Sequence, residues 1–205
     1  MNKTANISAL GYAAFALTLW LASMGPAGWF EQSDMTLAPL PYMQTGNVLL
    51  LLVVIVLGGC VLTLAGVGQW LRGRALDAFV FIAFAGYWWI TALAQHWVSA
   101  GAYGPTPGFL GWYYIVWALL GFCIWLAACR DGIARMLFSA GLCLMLLAFA
   151  LASWTYATAL TVLGGYIGLV TAVLGIYICA AEIINEVHGG SVLPLGNSSG
   201  RQGPS

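Results

Sequence analysis

Six stretches of this chain are each apolar over a length that crosses a bilayer. They run from about Ala9 to Phe30, Asn47 to Leu71, Asp77 to Ser99, Phe109 to Cys129, Ala134 to Thr155 and Ala159 to Ile184. A hydrocarbon core of ~30 Å takes roughly 20 apolar residues at ~1.5 Å each. The runs are continuous instead of alternating every second residue, so they read as helices and not as strands of a barrel. Together they use up nearly all of the 205 residues, which leaves no room for a separate soluble domain. Composition agrees: 62% of the chain is hydrophobic and 6% is charged, where a soluble domain carries about 25% charged residues. A soluble monomer is therefore excluded, and so is disorder. Six scattered cations cannot build a basic patch, so no nucleic-acid partner is expected. The expected fold is an all-α integral membrane protein of six transmembrane helices embedded in a lipid bilayer.

The cations fix an expected orientation. Lys3 precedes the first span, Arg72 and Arg74 lie between the second and third, Arg130 and Arg135 between the fourth and fifth, and Arg201 after the sixth. All of them fall on one side of a six-span chain. Cytoplasmic loops carry the excess of Lys and Arg, so both termini are expected in the cytoplasm. A cleavable leader, with Lys3 ahead of a small-residue site near Ala22-Ser23, would leave five spans with the termini on opposite sides; it is the weaker reading. The expected organisation is residues 1–8 as a cytoplasmic N-terminus, 9–188 as the membrane domain and 189–205 as a cytoplasmic tail. The end of that tail, from Asn197 to Ser205, is rich in Gly and Ser and reads as flexible.

Few residues inside the spans carry chemistry. Five cysteines (Cys60, Cys123, Cys129, Cys143, Cys179) lie in or at the end of spans with no metal spacing, and read as small apolar packers. His96 and His188 fall at opposite ends of the bundle, so they cannot pair on one haem. No phosphate loop, metal triad or nucleophile–base set is present, so neither an enzyme nor a cofactor is expected. Gly164 and Gly168 form a small-xxx-small pair suited to close helix packing. Trp29, Trp70, Trp97, Trp112-Tyr113-Tyr114 and Trp154 sit at span ends as an interfacial belt. Asp77 can pair with Arg74 or cap its helix. Glu182 and Glu186, one turn apart near the end of the sixth span, share a helix face. They read either as interfacial charges or as proton-exchanging groups at a pore mouth. With almost no other charge in the spans, the interior is expected to work mainly through neutral polar and apolar groups.

The C-terminal segment is more specific. Glu182-Ile-Ile-Asn185-Glu186, followed by Val192-Leu193-Pro194-Leu195-Gly196, resembles the end of the acetate uptake transporter family, the succinate–acetate permeases. Asn6-Ile-Ser-Ala-Leu10-Gly11 is similar to a degenerate form of that family's Asn-Pro-Ala-Pro-Leu-Gly signature. Leu64-Ala65-Gly66-Val67-Gly68-Gln69 resembles its second helix, usually Phe-Ala-Gly-Leu-Leu-Glu, and Phe81 to Trp88 fits the third. The resemblance implies a homohexamer with a pore in each protomer, carrying acetate and related small carboxylates, often with protons. Succinate and lactate are further candidate substrates. It also implies a hydrophobic constriction at Phe15, Phe84 and Ala140, with Asn6, Leu10, Gly11, Gln69 and Gly175 associated with the pore.

Departures from the family pattern shift those expectations. Ile7 and Ala9 replace the signature prolines, so the first helix is expected to start less broken. Phe84 replaces a Tyr and Ala140 a Leu, which predicts a wider gate. Gln69 replaces a carboxylate and removes one candidate for proton coupling. The loop from about Glu31 to Gly46, with Pro39 and Pro41, is longer than usual. An apolar constriction gates by dewetting; passage of the protonated acid would give apparent proton symport. The alternatives are a passive channel for neutral solutes such as urea or amides, and a non-transporting sensor or assembly factor on the same fold.

Overall fold

The structure is a computed structural model that describes residues 6–29 and 48–196. Lys3, the loop with Pro39 and Pro41, Arg201 and the tail from Asn197 lie outside the described residues. Within them are six helices long and apolar enough to span a membrane, and no strand. Helix α1 covers Ile7–Met24. Helix α2 is α-helical over Val48–Val53, widens to a π-helix over Val54–Val61, and is α-helical again over Leu62–Leu71. Then come α3 (Ala75–Ser99), α4 (Pro107–Ala128), α5 (Ile133–Thr155) and α6 (Thr158–His188). The 31 residues of α6 span about 46 Å at ~1.5 Å each, so its last turns reach past a ~30 Å core.

Local chemistry sets the ends. The Asn6 side chain accepts a hydrogen bond from the Ala9 amide at 3.3 Å and caps α1. With no proline at positions 7 or 9, α1 starts without a break, as expected. Thr106 caps α4 by accepting from the Phe109 amide, and Pro107 takes the first position, where a missing N–H costs nothing. Gly189, at φ 68°, ends α6 in the left-handed conformation that favours glycine.

Helix α6 packs along both α1 and α5, α5 packs on α4, and α2 packs on α3 and α1. The core is aromatic: Phe15, Phe81, Phe84, Trp88, Tyr114 and Phe149 are all buried. The π-helical stretch sits where α2 passes two indoles. A Cβ at Gly58 would lie 2.8 Å from the Trp88 ring, and one at Gly59 2.7 Å from Trp89. Gly164 and Gly168 serve packing: a Cβ at Gly164 would meet Phe149 at 2.8 Å, and one at Gly168 would crowd Ser23 and Met145.

Two surface expectations are corrected. Trp29, Trp70, Trp97, Trp112 and Trp154 are exposed near helix ends, but Tyr114 is buried and Tyr113 stacks on Tyr87, so the belt excludes these two tyrosines. Of the cysteines, Cys60, Cys123 and Cys129 face outward; only Cys143 and Cys179 are partly packed inside.

Candidate functional site

Two adjoining features stand out in the bundle. The first is an aromatic cluster. Phe15 on α1 is fully buried, with its ring 5.1 Å from Phe84 on α3 and 5.2 Å from Phe138 on α5. Phe84 continues to Trp117 on α4 at 5.9 Å, and Trp117 to Tyr87 at 5.2 Å. Three helices thus close on one point with apolar rings. The structure places side by side Phe15 and Phe84, two of the three positions that the resemblance implied for a constriction. Ala140 is half-buried. Two residues beyond Phe138, it is turned about 200° around the helix axis, and the ring that reaches Phe15 from α5 is that of Phe138.

The second feature is a buried charged cluster at the end where α1, α3 and α5 begin and α6 finishes. Arg135, on the first turn of α5, has a side chain only 14% exposed. Its Nη2 donates to Glu182 Oε1 on α6 at 2.6 Å and lies 3.8 Å from Asp77 Oδ2 on α3, while Nη1 donates to Asp131. Ser8 on α1 donates to Glu182 Oε1 at 3.0 Å. The Tyr12 hydroxyl lies 3.5 Å from Asp77 Oδ1, and the Arg135 guanidinium sits 5.7 Å over the Tyr12 ring. Four helices are tied here by charge-assisted bonds. Buried charges survive only when paired in this way, since each loses its hydration. A cavity touches both features: it is lined by Tyr12, Val80, Arg135, Phe138, Ser139 and Leu142, among others.

The cluster corrects the expectation of an interior nearly free of charge. Arg135 reads in sequence as a loop cation, yet it is the centre of the cluster. Glu182 and Glu186 part company: Glu182 is 7% exposed and bonded, whereas Glu186 is exposed. Asp77 meets Arg74 at 3.8 Å, as sequence suggested, and Arg135 as well. The remaining positions scatter. Asn6 is a helix cap. Leu10 is 51% exposed on the outer face. Gly11 lies directly under the Phe81 ring, and a Cβ at Gly175 would meet Ala16 at 2.9 Å, so both serve helix packing. Gln69 is buried, with neither polar atom of its amide hydrogen-bonded. Among the described residues no group of His, Cys, Asp and Glu could hold a metal ion.

The tail adds a clasp that the motif did not explain. The Asn185 side chain accepts from the Val192 and Leu193 amides at 2.7 and 2.8 Å and donates to the Leu193 carbonyl at 2.9 Å. Tyr177 donates to the Pro194 carbonyl, and the Ala134 amide to that of Leu195. The segment after α6 is thereby bound to the start of α5, one residue from Arg135.

Residues 1–194 match the sequence profile of the GPR1/FUN34/yaaH family. The chain belongs to that family. It is accordingly a multi-pass membrane transport protein and not an enzyme. The succinate-acetate/proton symporter SatP of Escherichia coli K12 is 23% identical over 198 residues, covering 96% of this chain and 98% of that protein. An uncharacterised protein of Methanothermobacter thermautotrophicus is 24% identical over 201 residues, covering 94% and 92%. The solved structure of the bacterial acetate channel SatP superposes with a TM-score of 0.83 at 22% identity, covering 95% of this chain and all of that one. The fold is therefore shared throughout the membrane domain.

Proposed function

We propose that this protein carries acetate and related small monocarboxylates across the cell membrane, linked to protons, along a path inside each protomer of a homohexamer. Both termini lie on the cytoplasmic side, and residues 9–188 form the transporting unit. Support comes from family membership and from the names borne by SatP, the symporter and channel it resembles.

The observation that carries the reading is the position of the aromatic cluster. The Phe15, Phe84 and Phe138 rings meet at the bundle centre, and the Phe138 ring also walls the cavity that holds Arg135. A carboxylate loses much hydration energy in entering hydrocarbon. An apolar constriction next to a buried arginine suits such an ion: the guanidinium can hydrogen-bond a carboxylate in place of water, and the rings keep the path dry until the ion or its acid passes. Gln69 offers an unpaired buried amide, with donors and an acceptor, for a further polar contact. Glu182, inside the cluster, is the group we assign to proton exchange; Glu186 sits outside it as a charge at the mouth.

A guanidinium edge matches the two oxygens of a carboxylate better than urea or an amide, which offer one neutral acceptor. Counterflow from proteoliposomes loaded with labelled acetate tests this. Acetate, propionate and lactate outside should drive exchange, succinate less so, and urea not at all. Exchange driven by urea as strongly as by acetate would replace the reading with that of a neutral-solute channel.

A further inference from the structure

Arg135 has an unused donor and Glu182 an unused oxygen. Both terminal guanidinium nitrogens are engaged, but Nε is buried with no hydrogen-bond partner. Glu182 Oε2 is buried and unpartnered as well. The charges around them do not balance. Asp77, Asp131 and Glu182 bring three negative charges, against Arg135 and the half-exposed Arg74, which lies 3.8 Å from Asp77. Ser8 from α1 and Arg135 from α5 bond Glu182 directly, with Tyr12 of α1 beside them; Asp77 of α3 shares Ser8 and Arg135 with it, Arg74 pairs with Asp77 and Asp131 with Arg135, and Cys179 and Glu186 share its own helix. Arg135 meanwhile lines an otherwise largely apolar cavity with Tyr12, Phe138 and Leu142.

The buried, unpartnered Oε2 of Glu182 is a position that can carry a proton. With Nη2 released by a protonated Glu182, the Nε–Nη2 edge of Arg135 beside an apolar cavity suits one carboxylate, bound by two parallel N–H···O bonds. We propose that Arg135 is a docking site for the transported carboxylate, which bonds the free Nε and takes Nη2 from Glu182 while a hydronium ion of the solution gives its proton to Glu182 and leaves as water. This rests on the transport reading above. No covalent bond forms except the O–H of the neutral acid. The anion arrives with one proton, so the net charge of the buried site is unchanged and the cost of adding a lone charge is avoided. Phe138 borders the cavity and its ring lies 5.2 Å from Phe15, so the docked ion waits one ring away from the constriction.

Calorimetry of acetate binding to the intact protein, in buffers of different ionisation enthalpy, tests the exchange. The wild type should take up about one proton per acetate bound, because binding and protonation are linked. Glu182→Gln, a mimic of the protonated acid, should bind acetate without proton uptake. Arg135→Gln should raise the acetate Kd at least tenfold. A merely structural ion pair moves none of these proton counts. Acetate binding to the wild type without proton uptake overturns the proposal, and so does an unchanged Kd in Arg135→Gln; if either variant fails to fold, the wild-type proton count decides alone. Failure of this site with intact wild-type uptake leaves the transport reading standing. Absence of any carboxylate uptake by the wild type removes both.

Discussion

Replacing Phe15 with alanine should open the aromatic constriction. Phe15 has no exposed surface and touches the rings of Phe84 and Phe138 at 5.1 and 5.2 Å. Its loss leaves a void of about 100 Å³, which at ~24 cal/mol per Å³ costs about 2.4 kcal/mol. The transfer part of the usual penalty is small here, because lipid tails are as apolar as the core. The void holds about three waters at ~30 Å³ each, enough to wet a segment that apolar rings keep dry. A tenfold faster acetate entry corresponds to ~1.4 kcal/mol off the barrier, and that is the scale expected. Initial rates of labelled acetate and lactate uptake into proteoliposomes, read beside a thermal melt, check both effects. Acetate uptake should rise about tenfold and lactate uptake more, with a lower melting temperature. A folded Phe15→Ala protein with unchanged rates refutes the assignment of these rings as the gate.

Three other substitutions probe two separate parts of the account. Phe138→Ala and Ala140→Leu distinguish two candidates for the third wall of the constriction: because Phe138 reaches Phe15, the first should raise lactate relative to acetate about tenfold, the low end of the ~10–200-fold worth of a methylene in an apolar site, and the second, turned away from Phe15, should leave that ratio unchanged. The opposite pattern in uptake rates places Ala140 in the gate. Asn185→Ala removes three hydrogen bonds to residues 192 and 193; at about 1 kcal/mol each, the clasp should loosen by ~1–3 kcal/mol. Hydrogen exchange at the Val192 and Leu193 amides should speed up accordingly, and unchanged protection would show that the clasp is held elsewhere.

The helices were legible in the sequence because spanning a bilayer demands long apolar runs, and every expected span has its helix. Their pairing was less so. Apolar stretches without charge give no strong face preference, so the π-helical turn over Val54–Val61 has no periodic signature; only Gly58-Gly59 marks it. Phe15 and Phe84 were identified through the family resemblance, not through spacing. Phe138 was missed because one aromatic among many apolar residues looks like lipid-facing filler. Arg135 was read as an orienting charge, since a cation near a span end ordinarily snorkels to water. What turns it inward is Glu182, distant in sequence by 47 positions. A four-residue spacing told that Glu182 and Glu186 neighbour each other, not that one is buried and the other exposed. An arginine one turn into an apolar run, together with an isolated Asp at the start of another span, was the available signal for the cluster.

Uptake of labelled acetate by proteoliposomes carrying the purified protein, with and without an inward proton gradient, tests the central claim most directly. The account predicts saturable uptake in both conditions, accelerated several-fold and driven above equilibrium by the gradient. Uptake no faster than in protein-free liposomes under either condition would contradict it.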